Sequence, residues 1–290
     1  MTTIQPTPTN NAAWAEVPAL ELAVTPLTSE EVLTRISAAV ADERRVLLAG
    51  HNLHSAYLFH ADPEFREFYQ KADIAVLDGW PVLALLNRAR RQNGHTPLPS
   101  DYRIGSTDWI PGAIELPEVS RVCVIGATET SNDKFIERAQ EVAPDTSFLG
   151  IPGNPWEGEL LEDVATRVGE FSPHLTVIGM GMPLQESIAA ELVSRGLGGV
   201  VATVGGAIDQ LAGEQSHAPR WTGRLRVEWL WRLASSPRRL GHRYLVVPFK
   251  LIRLLRAKRA AAWRSLPSSR PSAGPSFAAR SNPSCSRVCL

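Results

Sequence analysis

The stretch with the clearest chemical potential is IAVLDGWPV, residues 74–82. Its apolar run is typical of a buried strand and ends at Asp78, which Gly79 follows. A carboxylate is costly to bury. Asp78 is therefore either a turn residue, since Asp-Gly is a common turn pair, or a polar group at the carboxyl end of a strand, where an open α/β sheet binds its ligand.

A second candidate site is VIGMGMPLQE, in which Gly-x-Gly follows a strand-like run and precedes a helix-like one. This order is typical of dinucleotide sites. However, Leu184 occupies the third glycine position and Pro183 interrupts the turn, so close packing of helix against strand is favoured over nicotinamide binding. Gln185 and Glu186 fall in the first helical turn beside the cleft, where they either hydrogen-bond a substrate or act as surface and capping groups.

GHNLHS and VGGAIDQLAG bring further polar groups to strand ends. His51 and His54 are spaced like a helical metal pair, but no further ligand follows at suitable spacing, so capping and turn roles are favoured. No Asp-x-Asp pair occurs to hold a divalent ion, and the sequence predicts neither a metal nor a cofactor. Asp209 follows Gly205 and Gly206, and its carboxylate either binds a ribose hydroxyl or a base edge or caps a helix.

Alternating strand-like and helix-like runs must position these groups. Strands are predicted at 45–50, 74–78, 121–127, 146–151, 175–180 and 199–205, and helices at 27–43, 61–71, 81–91, 132–143, 157–171 and 184–195. The segment between the third helix and about residue 112 is predicted to be a loop. Strands alternating with helices imply a parallel sheet, so the predicted class is α/β, a Rossmann-like parallel sheet flanked by helices. Small or polar residues at its ligand edge, Gly126 among them, suit close approach of the backbone to a phosphate or sugar.

The formal net charge of zero conceals two oppositely charged regions. Residues 1–219 contain 14 Lys/Arg and 29 Asp/Glu, whereas residues 220–264 contain 13 Lys/Arg and Glu228 as their one acid. This C-terminal appendage interleaves aromatic residues with cations and is predicted to include a basic amphipathic helix over 243–259. Such a segment favours a membrane surface, with nucleic acid or a helix packed on the core as alternatives.

Composition limits the remaining possibilities. Three cysteines give no disulfide framework and fit a reduced compartment. The first 25 residues do not resemble a secretory signal, and no apolar run approaches the length of a membrane span. A protein that is cytoplasmic and soluble, or attached to a membrane only at its surface, is therefore expected. The expected division is a disordered segment at 1–25, a core at 26–219, the basic segment at 220–264 and a disordered tail at 265–290.

Several motifs then occur in the order found in one family: HNLHSAYLF with DPEFREFYQKADIAVLDGWPV, YRIGSTDW, VCVIGA, VIGMGMPLQE, VGGAIDQLAG, and HAPRW with RVEWLWRLASSPRRLGHRY. Over residues 46–247 the chain resembles the WecG/TagA/CpsF glycosyltransferases, glycosyltransferase family 26. The resemblance implies inverting, metal-independent transfer of an N-acetylhexosamine-type or related sugar from a UDP-sugar to a polyprenyl-diphosphate-linked sugar. It places that reaction at the inner face of the cell membrane, in the assembly of cell-envelope or exported polysaccharide.

The same motifs imply roles for single residues. Asp78 resembles the general base that takes the proton from the acceptor hydroxyl, and one base is what an inverting transfer needs. Asn52, Arg103 and Gln185 resemble the residues that position donor and acceptor. The nucleotide-binding part is represented by Gly205, Gly206 and Asp209.

Three arginines of the basic segment, Arg232, Arg238 and Arg243, resemble arginines that fold over the active site of family members. Without a metal, arginines must neutralise the departing diphosphate. The segment is therefore expected both to hold the enzyme on the bilayer and to close the site. Deleting residues 220–290 is expected to abolish transfer and to leave a folded core.

Three positions depart from the family pattern: Gly50 replaces a common threonine, Trp80 a small residue, and His217 an arginine. These departures leave the identity of donor and acceptor open. A symmetric homo-oligomer is expected, and nucleic acid is not expected as a partner. The alternative functions are a nucleotide-dependent oxidoreductase that uses the Gly179 region, and a non-catalytic adaptor that binds a membrane surface or nucleic acid through residues 220–264.

Overall fold

The computed structural model describes residues 14–153, 156, 160–215, 241 and 245–264. The strands are β1 (Ala15–Val17), β2 (Leu22–Val24), β3 (Val46–His51), β4 (Ile74–Leu77), β5 (Arg121–Gly126), β6 (Ser147–Ile151), β7 (Leu175–Gly179) and β8 (Val200–Thr203). The helices are α1 (Ser29–Ala41), α2 (Leu53–Ala61), α3 (Pro63–Lys71), α4 (Trp80–Gln92), α5 (Ser106–Ile114), α6 (Glu129–Val142), α7 (Leu160–Phe171), α8 (Leu184–Ser194), α9 (Ala207–Leu211) and α10 (Val247–Arg264). A 3-10 turn spans Ser100–Tyr102.

The central sheet has six parallel strands in the order β4-β3-β8-β7-β5-β6. In its register Gly50 lies beside Val76, and Gly126 lies beside Gly179. The carboxyl ends of these strands therefore meet at one edge. This arrangement confirms the predicted α/β class with a parallel sheet flanked by helices.

Helices cover both faces of the sheet, which is why β4, β7 and β8 are buried along their whole length. Consecutive residues of one strand enter different cores: Leu48 belongs to the cluster of Ile36 (α1) and Ile110 (α5), whereas Leu47 belongs to the cluster of Phe65 (α3). The period-2 alternation of side chains thus builds two apolar layers from one strand. The two layers cover both faces of the sheet whose strand ends carry the polar groups.

Polar side chains set the starting points of the helices nearest the ligand edge. Thr28 forms a capping box with Glu31 at the start of α1. Asn52 caps α2, accepting hydrogen bonds from the amides of His54 and Ser55. The cap on α2 matters for function because it fixes the orientation of the Asn52 side chain at the end of β3.

Two segments differ from the sequence prediction. Residues 15–24, expected to be disordered, form the β1–β2 hairpin, in which Val17 and Val24 are fully buried. Part of the predicted loop before residue 112 forms α5, with Trp109 and Ile110 buried against the core. In both segments tertiary packing outweighs local composition, and α5 is helical even though it contains Pro111.

The basic C-terminal helix is present as α10 and packs on α2 and on the hairpin. Leu251 and Leu255 join the same apolar cluster as Leu20 and Leu22. Arg259 donates to a Glu21 carboxylate oxygen at 2.7 Å, and further polar contacts join this end of α10 to the core. The packed-helix alternative is therefore correct for this face of α10.

The opposite edge of α10 and the turn before it leave large apolar side chains in solvent. These are Leu245, Val246, Phe249 and Ile252, with exposed fractions of 54%, 40%, 73% and 47%. Among the described residues, no helix is both long and apolar enough to cross a membrane. The four exposed side chains together form the exposed edge of α10.

A buried histidine at the end of β3 predicts an acid-sensitive fold. His51 stacks on Tyr69 with ring centroids 4.0 Å apart, and its Nδ1 lies 3.1 Å from Ser55 Oγ. Burial, with a smaller contribution from the charge on His60, lowers the pKa of His51 from 6.5 to about 3. The folded state therefore favours the neutral ring, and stability falls as the pH drops below the unfolded pKa.

For His51→Phe we accordingly expect a flatter dependence of stability on pH. Between pH 7 and pH 5 the unfolding free energy of the wild type should fall by about 2 kcal/mol more than that of the variant. Urea unfolding of both proteins at the two pH values measures this difference. Equal losses in the two proteins would show that His51 does not titrate with unfolding.

Candidate active site

A polar cavity of about 140 Å³ opens at the carboxyl edge of the sheet. Its wall combines the ends of β3, β4 and β8 with the turns before α5 and α8. The residues important for its chemistry are Asn52, Asp78, Gly105, Gln185, Gly205 and Gly206. The sheet therefore brings together, from distant parts of the chain, groups that the sequence placed at strand ends and in the first turn of a helix, and it adds Gly105 from the predicted loop.

Asp78 stands directly after β4 and is oriented by its neighbours. Asn52 Nδ2 donates to Asp78 Oδ2 at 3.0 Å, and the Asp78 amide donates to the carbonyl of His51 at 3.0 Å. Because Asn52 Oδ1 already accepts two amides of α2, the amide group of Asn52 can only turn its nitrogen towards the carboxylate. The contact therefore holds the carboxylate in one orientation at the cavity wall.

Small residues keep the surroundings of Asp78 open. A Cβ on Gly50 would lie 3.2 Å from Asp78 Cβ, and one on Gly105 would lie 3.8 Å from Asp78 Oδ1. Gly79 adopts a φ of 110°, which favours glycine. The side-chain-free walls leave room for a ligand beside the carboxylate.

Arg103 lies beside Trp80, the first residue of α4. Its guanidinium carbon is 5.6 Å from the centre of the Trp80 ring, a distance within the range of cation-π contacts. Arg103 follows the 3-10 turn at Ser100–Tyr102, and the next residue, Ile104, lines the cavity. The bulky Trp80, one of the three departures from the family pattern, thus contacts the guanidinium that the motif identifies.

Gln185 joins two turns at the cavity wall. Its Oε1 accepts from the Gly205 amide at 2.9 Å, and its Nε2 donates to Glu186 Oε1 at 2.8 Å. Its own amide donates to the carbonyl of Gly181 at 3.2 Å. Gln185 and Glu186 are each only 2% exposed. The alternative that they are groups on the protein surface is therefore wrong.

Two of the predicted binding residues lie at the same edge but outside the wall of this cavity. Gly126 has a φ of 109° and is packed so closely on β7 that a Cβ would come 2.5 Å from the carbonyl oxygen of Gly179. The carbonyl of Asp209 accepts amides from Glu214 and Gln215, while Gln210 lines the cavity in its place. Arg232, Arg238, Arg243 and His217 lie outside the described residues.

The start of α5 supplies residues that sequence reasoning from periodicity missed. Ser106 and Thr107, which both carry hydroxyl groups, line the cavity, and Asp108 Oδ2 accepts the Gly105 amide at 2.7 Å. The signal was present in the motif YRIGSTDW. The Gly-Ser-Thr-Asp of this motif is a helix-capping pattern. It marks the start of a helix within a segment whose composition is typical of a loop.

The histidines spaced like a metal pair and the cysteine of β5 do not form a site among the described residues. His51 is buried in an aromatic stack and does not face the cavity as one of a ligand pair. Across the described ranges, no group of three or more His, Cys, Asp or Glu is arranged to hold an ion. Burial raises the pKa of the Cys123 thiol to about 12, as suits an inert core residue.

The chain is similar to a family of glycosyl transferases. The model of the glycosyl transferase WecG/TagA/CpsF family matches residues 17–264. Two similar proteins, from Staphylococcus aureus strains MRSA252 and MW2, are named N-acetylglucosaminyldiphosphoundecaprenol N-acetyl-beta-D-mannosaminyltransferase. Each is 24% identical to this chain over 227 residues, which cover 74% of this chain and 85% of the relative.

Proposed function

The chain belongs to the WecG/TagA/CpsF family of glycosyl transferases, and on that premise we propose that it moves an N-acetylhexosamine-type or related sugar from a UDP-sugar to a polyprenyl-diphosphate-linked sugar. The transfer inverts the anomeric centre and uses no metal. The names of the two relatives support the acceptor class, since those proteins are named for N-acetylglucosaminyldiphosphoundecaprenol. The product would serve the assembly of cell-envelope or exported polysaccharide.

The observation that carries this proposal is the oriented carboxylate of Asp78, which is the one acidic side chain among the described residues that line the cavity. A one-step inverting transfer needs one base, which takes the proton from the acceptor hydroxyl as the oxygen attacks the anomeric carbon. The Asn52 amide occupies Asp78 Oδ2 at 3.0 Å. That contact aims the carboxylate and leaves Oδ1, beside Gly105, for the acceptor hydroxyl.

The donor would occupy the side of the cavity formed by the Gly181 and Gly205 turns. Glycine backbone allows a diphosphate to approach closely, and backbone amides can bind its oxygens. Gly206 lies on the same turn as Gly205, and Asp209 lies on α9, which follows that turn. Both would contact the nucleotide, with Gly126 packed on the neighbouring strand β7. As the diphosphate leaves, positive charge must stabilise it.

Arginines are the proposed source of that charge. Arg103 lies next to the cavity and would position the reactants, and Arg232, Arg238 and Arg243 would fold over the leaving group. We thus assign catalysis to a core at residues 26–219. Residues 220–264 would form the segment that associates with the membrane and closes the site. The enzyme would work on the inner face of the cell membrane, where its lipid-linked acceptor is held.

The test is transfer from a panel of UDP-sugars to a short-chain polyprenyl-diphosphate-linked amino sugar, with EDTA present throughout. Product formation with inverted anomeric configuration, undiminished by EDTA, is the expected result. Calorimetry with UDP and with NAD separates the alternatives, because an oxidoreductase would bind NAD. A folded protein that binds UDP but yields no product with any donor would contradict the proposed acceptor, and one that binds neither nucleotide would contradict the enzyme assignment of this cavity.

A further inference from the structure

We propose, on the premise of the function above, that Glu186 is a positioning residue for the donor. Its carboxylate fixes the side-chain amide of Gln185, and the Gln185 carbonyl oxygen in turn holds the Gly205 turn against the start of α8. Glu186 therefore acts on the nucleotide side of the cavity through Gln185, without the need to touch the substrate.

The contacts form one continuous chain. Glu186 Oε1 accepts from Gln185 Nε2 at 2.8 Å, and Gln185 Oε1 accepts from the Gly205 amide at 2.9 Å. The main chain of Gln185 also donates to the carbonyl of Gly181. One residue thus connects the turn after β7 with the turn after β8, and both turns line the cavity.

The chemistry of the two partners allows only one orientation of the Gln185 amide. A backbone N–H can only donate, and an ionised carboxylate can only accept. A flipped amide would set its NH₂ group against the Gly205 N–H and its carbonyl oxygen against the carboxylate. The Glu186 carboxylate therefore selects the orientation in which Gly205 has an acceptor.

Burial of the Glu186 side chain costs free energy, which argues that the residue has a role at this position. A carboxylate that is 2% exposed loses most of its hydration, and this loss must be offset by hydrogen bonds and nearby positive potential. Glu186 lies in the first turn of α8, where the helix dipole favours a negative charge. Glu186 thus lies almost out of solvent beside Gln185, whose side chain joins the two turns.

The backbone of the Gly205 turn is not part of a long helix or strand, so its position depends on contacts such as the one from Gln185. Gly205 has a φ of 57°, in the left-handed region, and it is followed by α9, which has only five residues. Its carbonyl oxygen would lie 2.8 Å from a Cβ placed on Gly179, so the ends of β7 and β8 are in close contact. A shift of the turn would therefore change the width of the cavity where the nucleotide is proposed to bind.

The first test compares Glu186→Met with Glu186→Gln. Methionine keeps the length of the side chain but offers no good acceptor, so the Kd for UDP and the KM for the UDP-sugar should rise by about 10-fold, because a hydrogen bond to a charged group is lost. The kcat should change less than about threefold, since the base is untouched. Glutamine can still accept through its Oε1 and should restore most of the affinity.

Glu191→Met is the matched control, because Glu191 lies on the same helix and pairs with Arg195 at the surface. It should leave the Kd for UDP unchanged. A merely structural role for Glu186 would instead lower the melting temperature and leave the Kd for UDP of the folded protein as in the wild type. That outcome would overturn the proposal.

A second pair of variants keeps the test decisive if Glu186→Met does not fold. Gln185→Glu places two carboxylates side by side and should weaken UDP binding strongly. The exchanged variant Gln185→Glu/Glu186→Gln restores a donor next to an acceptor, because the carboxylate introduced at position 185 can accept from both of its neighbours. Tighter UDP binding by the exchanged variant than by Gln185→Glu supports the chain of contacts, and equal binding refutes it. If the wild type itself does not bind UDP, the proposed function fails, independently of Glu186.

Discussion

Asp78→Asn is expected to lower the kcat of sugar transfer by about 10²- to 10⁴-fold, the usual contribution of a general base. The amide has nearly the shape of the carboxylate but cannot accept a proton at neutral pH. Because the donor is proposed to bind on the Gly205 side of the cavity, the Kd for UDP should change little. Steady-state kinetics with calorimetry on the same preparation measures both quantities.

Asp62→Asn is the matched control for this substitution. Asp62 caps α3 through its Oδ1, and asparagine caps a helix about as well as aspartate, so the turnover of this variant should equal that of the wild type. Asn52→Asp offers a further comparison, since it replaces the amide donor to Asp78 with a second carboxylate. Full turnover by Asp78→Asn would show that the base lies elsewhere and would remove the main support for the proposed mechanism.

The central sheet could be predicted from the sequence because its strands are buried on both faces. A run such as LTVIG has no charged interruption, and the helices between the runs have apolar faces of helical period. Strand order, in contrast, depends on contacts between residues far apart in the chain. The pairing of β3 with β8 joins residues about 150 positions apart, and no local pattern contains that information.

The hairpin at residues 15–24 was missed because its strands have only three residues each. Such strands are stabilised by tertiary contacts, here the hydrogen bonds between Thr25 and Ala75 and the burial of Val17 and Val24. The sequence just before them is Pro- and Thr-rich and typical of disorder. Tertiary packing therefore decides the structure where local propensity points the other way.

The candidate site could be predicted in part for a similar reason. Asp78 and Asn52 were identified at the ends of separate strands, and parallel pairing of β3 with β4 brings them into contact. The role of Gln185 as a bridge could not be predicted, because it depends on the distance between the ends of β7 and β8. A motif identifies which residues take part, and the packing of the sheet determines what each one touches.

The structure also changes how the basic segment should be tested. Deleting residues 220–290 was expected to leave a folded core, but α10 buries Val247, Leu251 and Leu255, and the two leucines belong to the cluster around the hairpin and α4. Deletion would expose that apolar surface and destabilise the protein. A loss of activity after deletion would then have two explanations, so substitution of exposed residues is the better experiment.

We expect Phe249→Ser/Ile252→Ser to weaken binding to vesicles that contain anionic lipid by about 100-fold, from the apolar area that the two side chains would bury in the lipid interface. Both side chains are exposed, at 73% and 47%, so the fold should tolerate the change. Arg253, exposed on the same helix, would supply a cation for anionic headgroups. Sedimentation with vesicles measures the affinity, and raised salt should weaken the binding of the wild type.

The same variant separates membrane binding from catalysis. Transfer to an acceptor embedded in vesicles should fall with the binding, whereas transfer to a water-soluble short-chain acceptor should be unchanged, because the cavity around Asp78 is untouched. Val142→Ser is the control: Val142 ends α6 and is 57% exposed, so its loss removes apolar surface away from α10. If the double variant binds vesicles as tightly as the Val142 control, the exposed edge of α10 is not the membrane-binding surface, and the proposal would have to place membrane attachment in another part of residues 220–264.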